Sequence, residues 1–132
     1  MARLEFAHLH RYSSDAVTLP VTLALGGQIS HLVASLDTGS SHCMFERLHA
    51  DVLRLNVEDG VRRVFSTATG NLEAYGHLVH ITTFGIELES MVYFFANPAI
   101  TRNLLGRVGW LNRVRLGIVD YDRELYLSSY DS

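Results

Sequence analysis

The sequence predicts an all-β protein, and three observations carry that prediction. Short runs rich in Val, Ile, Thr, Phe and Tyr recur through most of the 132 residues. Gly, Asn and Asp signals separate those runs. Only one substantial segment has helical spacing instead.

In chain order, the candidate strands are residues 4–10, 17–25, 29–36, 61–67, 72–83, 86–96, 114–121 and 124–127. Gly26-Gly27 supplies the positive φ of a tight hairpin between the second and third. Thr69-Gly70-Asn71 and residues 120–123 read as two further turns. Pro20 falls inside a candidate strand and marks an edge, a bulge or a break, because it lacks an N–H for a ladder. Phe45, Leu48, Val52 and Leu55 recur at spacings of three and four, with Arg47 and Asp51 four apart on another face. They predict a helix of about ten residues. A second short helical piece is expected over residues 107–112, before the final strands. No internal repeat is visible, and Glu58-Asp59-Gly60 reads as an exposed turn.

With 48% hydrophobic residues the chain can bury one real core, so a single domain over residues 1–132 is expected. Eleven basic against 14 acidic residues leave a net charge of −3, with no basic run and no acidic tail. Neither a nucleic-acid footprint nor a disordered arm is predicted, and the expected partners are peptides or a second copy of the chain. Residues 1–12 carry Glu5, His8, His10 and two arginines, unlike a secretory signal. No run reaches the ~18 apolar residues of a membrane helix. Cys43 is the only cysteine, which excludes an intrachain disulfide and fits a reducing cytoplasm.

The segment 34–41 reads A-S-L-D-T-G-S-S and occurs once. An aspartate at the end of a buried strand is costly unless hydrogen bonds or a shared proton compensate it. Chemistry can exploit that cost. Aspartic peptidase catalysis needs two carboxylates roughly 3 Å apart sharing one proton, so that one activates water while the other polarises the carbonyl. One copy per chain therefore requires a symmetric dimer, or no catalysis by this route. Around Asp37, Thr38 offers a hydroxyl to fix the turn, Gly39 admits a backbone N–H to the carboxylate, and Ser40 adds a donor. The same string is also an ordinary Asx-type turn feeding a helix.

The order of elements narrows the choice. An apolar strand, D-T-G-S-S, a short helix, a Gly-containing hairpin, long apolar strands and a late Leu104-Leu105-Gly106-Arg107 follow one another. From about residue 17 to about residue 127 this resembles the single-lobe, retropepsin-like aspartic proteases, the retroviral type with bacterial members. The resemblance implies a closed all-β barrel with one short helix after the Asp-Thr-Gly loop and a short C-terminal helical turn. It implies that Asp37 is catalytic, supported by Thr38, Gly39 and Ser40, with Thr38 joined to its symmetry mate beneath the dyad. Thr67, Ala68, Thr69, Gly70 and Asn71 match the flap that closes over bound peptide. Their small side chains and the Gly-Asn pair suit a mobile lid, the alternative being an ordinary exposed hairpin. Leu104, Leu105, Gly106 and Arg107 match the strand that crosses behind the Asp37 loop. On its residues alone Gly106 marks either a bulge or a close passage of two backbones.

The chain departs from the retroviral pattern at Ser41, where an acid commonly pairs with the late arginine, and at Val108-Gly109. Arg107 is then left to another acid or to solvent. Residues 115–132 extend past the motif as a further hairpin, so dimerisation through interleaved termini follows from analogy alone.

Seven histidines raise the question of a metal. His8 and His10 project from one strand face and His77 and His80 from opposite faces, so no compact ligand cluster is expected, and neither is a metal or other cofactor. Cys43 beside His42 reads as a small buried thiol behind the Asp37 loop, not as a nucleophile. Trp110 and Tyr93-Phe94-Phe95 are expected in the core or in a dimer contact. The leading expectation is a homodimeric aspartic endopeptidase that hydrolyses peptide bonds with water held between two Asp37 carboxylates. The alternatives are a catalytically silent dimeric peptide-binding or adaptor module on the same fold, and a monomeric barrel in which Asp37 only shapes a turn.

Overall fold

A computed structural model describes residues 2–131. The strands are β1 (His8–Arg11), β2 (Thr18–Leu25), β3 (Gln28–Leu36), β4 (Met44–Phe45), β5 (Val61–Thr67), β6 (Gly70–Thr83), β7 (Ile86–Phe95), β8 (Leu104–Leu105), β9 (Val114–Val119) and β10 (Glu124–Ser129), with one helix, α1 (Arg47–Val52). Seven strands run in the order β2-β3-β8-β4-β7-β6-β5. A further pairing of β2 with β6, from Thr22 opposite Thr82 to Ala24 opposite His80, closes six of them into a barrel. Closure removes the open edges that a flat sheet would leave.

β6 makes this possible by its length. Its C-terminal part pairs with β2, while residues 70–76 pair with β5 from Thr67 opposite Gly70 to Val61 opposite Gly76. The β5–β6 hairpin extends beyond the closed ring as a result, and every β5 residue except Phe65 is exposed. Ala68 and Thr69 form its tip. At the other end of the barrel, β1, β10 and β9 make a three-stranded antiparallel sheet in which the first strand pairs with the last strand of the same chain.

Alternation along the strands builds the core. Leu19, Val21 and Leu23 of β2, Val79 and Ile81 of β6, and Val92 and Phe94 of β7 point inward, and Leu125 and Leu127 of the terminal sheet join them. Each such burial contributes about 1.5–3 kcal/mol. Trp110 is fully buried in this cluster, its indole N–H donating to Thr83 Oγ1 at 3.3 Å. Pro20 lies within continuous β2, opposite Val33, at a level where β6 does not reach. It therefore occupies an edge position, where a missing N–H removes no ladder bond. Gly26 and Gly27, at φ +55° and +85°, form the predicted hairpin turn.

Three sequence expectations are corrected. The strands include two short ones, β4 and β8, that periodicity over two residues cannot reveal. The expected ten-residue helix is a six-residue α1 that ends where Arg54 turns left-handed at φ +59°. Its phase also differs: Phe45 is spent in β4, Leu48 and Val52 are 51% and 45% exposed, and His49, Ala50 and Leu53 face the core. The helical piece expected over residues 107–112 is instead a 3-10 turn at Leu111–Arg113. Arg107 and Val108 donate their N–H groups to the Asp37 loop, and Gly109 follows at φ +97°.

No helix among the described residues is long and apolar enough to cross a membrane. Among them, no group of three or more His, Cys, Asp and Glu side chains could hold a metal ion.

His49 ties α1 to the barrel. It is buried, with Nδ1 2.8 Å from Ser30 Oγ on β3 and Nε2 3.6 Å from the Glu46 carboxylate. Burial holds its pKa below the ordinary histidine value, against the opposing pull of Glu46. The folded chain then binds fewer protons at this site than the unfolded chain, so stability is full above pH ~6.5 and falls as pH drops through the folded pKa. We expect the urea midpoint to decline between pH 7.5 and 5 and the decline to be shallower in His49→Gln. An equal slope in both proteins would contradict this account.

Candidate active site

The Asp37 loop, residues 37–43, connects β3 to β4 and is held by backbone from the far end of the chain. Asp37 N–H donates to Leu105 O at 3.0 Å, Arg107 N–H to Ser40 O at 3.0 Å, and Val108 N–H to Ser41 O at 2.8 Å. β8 runs parallel to β3 and antiparallel to β4, passing between them. A Cβ on Gly106 would stand 2.2 Å from His42 O and 2.8 Å from Ser40 O. Of the two readings of Gly106, the close passage is therefore the one the fold adopts.

Within the loop, Gly39 N–H donates to Asp37 Oδ1 at 3.0 Å, and Ser40 N–H donates to Asp37 O at 3.1 Å. A Cβ on Gly39 would lie 3.3 Å from that carboxylate oxygen. Ser40 Oγ turns away and donates to His42 O at 2.7 Å, so it braces the loop and leaves the carboxylate alone. Asp37 is partly exposed and Thr38 is exposed. The Thr38 hydroxyl has no hydrogen-bond partner among the described residues.

Asp37, Gly39 and Ser40 border a cleft of about 340 Å³. Met44, Phe65, Leu72, Phe95 and Leu104 give it apolar walls, and Ser66 and Thr67 bring the β5–β6 hairpin to its rim. A second hollow, also about 340 Å³, shares Asp37 and Leu104 with the first and is lined further by Val33, Ser35, Thr101 and Asn103. Arg102 borders both. Of the candidate flap residues, Thr67 lines the cleft, while Ala68, Thr69, Gly70 and Asn71 form the exposed tip beyond it. A larger hollow of about 580 Å³ at Tyr12, Asp15, Asp120 and Arg123 shares no residue with this cleft.

No family model matches the sequence, and no curated protein matches it. Solved structures do. The EIAV protease in complex with the inhibitor HBY-793 superposes with a TM-score of 0.53 at 22% identity, over 68% of this chain and 80% of that one. A retropepsin-like aspartic protease from Rickettsia conorii superposes with a TM-score of 0.61 at 18% identity, over 84% of this chain and 89% of that one. The chain has the retropepsin fold.

Within the retropepsin fold, this chain furnishes the loop in its own way. Arg107 is exposed and pairs with no acid among the described residues; its backbone makes the connection to the loop. His42 lies beside it, with Nδ1 2.9 Å from Ser41 Oγ and its ring 5.7 Å from Phe65 and 5.3 Å from Tyr93. Arg63 of β5 sits over Phe65 and 3.4 Å from His42 Nε2. Burial, then the Arg63 charge, lowers the His42 pKa. This cluster joins the middle of β5 to the Asp37 loop. Cys43 is fully buried, accepts the Gly106 N–H at 3.5 Å, and is pushed up to about 11 by burial. That makes it an inert thiol at neutral pH.

Sequence reasoning did not assign Phe65, Leu72, Phe95, Met44 or Arg102 to the site. Alternation marks the first three as strand residues, but only the barrel brings them to one cleft.

The passage at Gly106 is directly testable. Gly106→Ala forces the methyl into backbone carbonyls that cannot rotate away, and should cost about 1–3 kcal/mol, read as a lower urea midpoint. A midpoint equal to that of the parent protein would contradict the close crossing.

Proposed function

We propose that the protein is an aspartic endopeptidase that works as a homodimer, with Asp37 of each copy supplying half of the catalytic pair. The observation that carries this reading is an accessible Asp37 carboxylate on a backbone-braced loop of a retropepsin fold, in a chain with one Asp-Thr-Gly. Two supporting features sit beside it. The exposed Thr38 hydroxyl has an available donor and acceptor for its symmetry mate, and the apolar cleft suits an extended peptide.

In the proposed reaction the two Asp37 carboxylates share one proton and bind one water. The ionised carboxylate takes a proton from that water as its oxygen attacks the scissile carbonyl carbon. The protonated carboxyl donates to the carbonyl oxygen, giving a neutral gem-diol. Collapse of the gem-diol re-forms the carbonyl, breaks the C–N bond and delivers a proton to the departing amine. Gly39 N–H steadies Asp37 Oδ1 throughout. Thr67, Ala68, Thr69, Gly70 and Asn71, at the end of the exposed hairpin, are proposed as the flap that covers the peptide and excludes bulk water. Leu104, Leu105, Gly106 and the Arg107 backbone hold the loop in register, and are positioning residues. We assign the protein to the cytoplasm on its single reduced thiol.

Asp37→Asn should abolish peptide cleavage while circular dichroism and sedimentation stay those of the parent protein; undiminished cleavage by the purified variant would refute the mechanism. Specific activity should also fall as the protein is diluted below its dimer dissociation constant. Constant specific activity in a protein that sediments as a monomer would rule out a site shared between copies.

A further inference from the structure

Resting on the endopeptidase reading above, we infer that Arg102 is a specificity-determining residue that selects peptides with an acidic side chain, Asp or Glu, next to the scissile bond. Three observations lead there.

Arg102 borders both hollows that contain Asp37, and among the described residues it is the only cation lining either. The other cleft residues are uncharged, five of them large and apolar and the rest Gly39, Ser40, Ser41, Ser66 and Thr67, and Asp37 is the only acid. That carboxylate is committed to its symmetry mate and the attacking water. A positive charge at the wall of such a cleft therefore calls for a negative charge brought by the ligand.

The guanidinium is also unclaimed. Three other arginines are held, Arg11 by Glu124 at 2.9 Å, Arg47 by Glu58 at 2.6 Å and Arg62 by Glu73 at 2.7 Å, and Arg107, which like Arg102 pairs with no acid among the described residues, lines neither hollow. Arg102 is exposed and has no hydrogen-bond or ion-pair partner among the described residues. Five N–H donors in a planar fork match a carboxylate bidentately, and closing the cleft over a peptide would strip water from donors left unpaired. A neutral side chain offers only partial compensation, so the site discriminates by what an uncharged ligand fails to satisfy as well as by what an acid supplies.

The mounting of Arg102 is rigid. Asn103, the next residue, accepts Ser35 N–H on its carbonyl at 2.9 Å and Glu46 N–H on Oδ1 at 3.0 Å, and its Nδ2 donates to Glu46 Oε2 at 2.6 Å. Leu104 then pairs with Ser35 and Met44. The backbone on the C-terminal side of Arg102 is thus pinned to β3, β4 and the start of α1, which fixes where the side chain is rooted and limits the backbone entropy lost when it engages a ligand. The two-fold axis of the dimer puts one Arg102 on each side of the Asp37 pair, so acids are accepted on either side of the bond cut.

The test is a peptide-library digest read by mass spectrometry with the parent protein, Arg102→Ala, Arg102→Glu and Asp37→Asn. The parent should favour Glu over Gln, and Asp over Asn, by about tenfold at a position adjoining the cut. Arg102→Ala should bring those ratios to near one, and Arg102→Glu should turn the preference toward Lys and Arg. The inference is overturned, with the endopeptidase reading intact, if the parent cuts without acidic preference or if the preference survives in Arg102→Ala. It is equally overturned if Arg102→Ala keeps the Glu-to-Gln ratio but shifts the pH profile of kcat/KM on a neutral peptide, since Arg102 would then serve Asp37. Absence of any cleavage beyond that seen with Asp37→Asn would overturn the endopeptidase reading, and this inference with it.

Discussion

The passage of one backbone across another behind Asp37 is the constraint on which the rest of the molecule depends. Gly106 lies so close to the carbonyls of Ser40 and His42 that no side chain fits between them. That contact lets Asp37, Arg107 and Val108 give their N–H groups across the crossing, so a seven-residue loop is fixed by chain from nearly seventy positions away. A loop braced this way can carry a partly exposed carboxylate without collapsing onto it. Residues 107–109 are not helical because Gly109 turns left-handed at φ +97° before the 3-10 turn begins.

Barrel closure and the cleft are two consequences of one long strand. The C-terminal part of β6 returns to β2 and seals the ring, while its first residues have only β5 and β7 to pair with and carry the hairpin outward. Because β5 is exposed apart from Phe65, the hairpin is tied down chiefly where Phe65 meets His42 and Tyr93. Toward its tip, residues 66–71 are all exposed. His42, a member of the Asp37 loop, touches Arg63 and Phe65 of β5 and so links that loop to the strand that leads into the proposed flap.

Charge in the cleft is sparse, which gives each charged group weight. An apolar wall formed by Met44, Phe95, Leu104, Phe65 and Leu72 lowers the local dielectric, and Asp37 and Arg102 face it from the rim. In the proposed dimer these groups double about a two-fold axis, turning a half-site with one acid and one cation into a symmetric channel. The terminal sheet pairs β1 with β10 of the same chain.

Much of the architecture was legible in the sequence because it rests on short-range rules. Alternation located eight strands, Gly26-Gly27 placed a hairpin, and the Asp-Thr-Gly and Leu-Leu-Gly motifs marked both strands of the crossing. The phase of α1 was not legible, since Phe45 has the right spacing for the helix but pairs in β4 instead, leaving Leu48 and Val52 outside. β4 and β8 are too short to show a period, and exist only because strands distant in sequence flank them. Arg102 carried no signal either, for an Arg-Asn pair before two leucines is unremarkable until folding sets it on the same hollows as Asp37. The sequence by itself determined the fold class and the lone Asp-Thr-Gly, which makes a second copy a requirement of the proposed aspartic peptidase mechanism. Tertiary structure alone decided which backbone braces Asp37, which apolar residues wall the cleft and which cation faces it, because those are contacts between segments that no local pattern records.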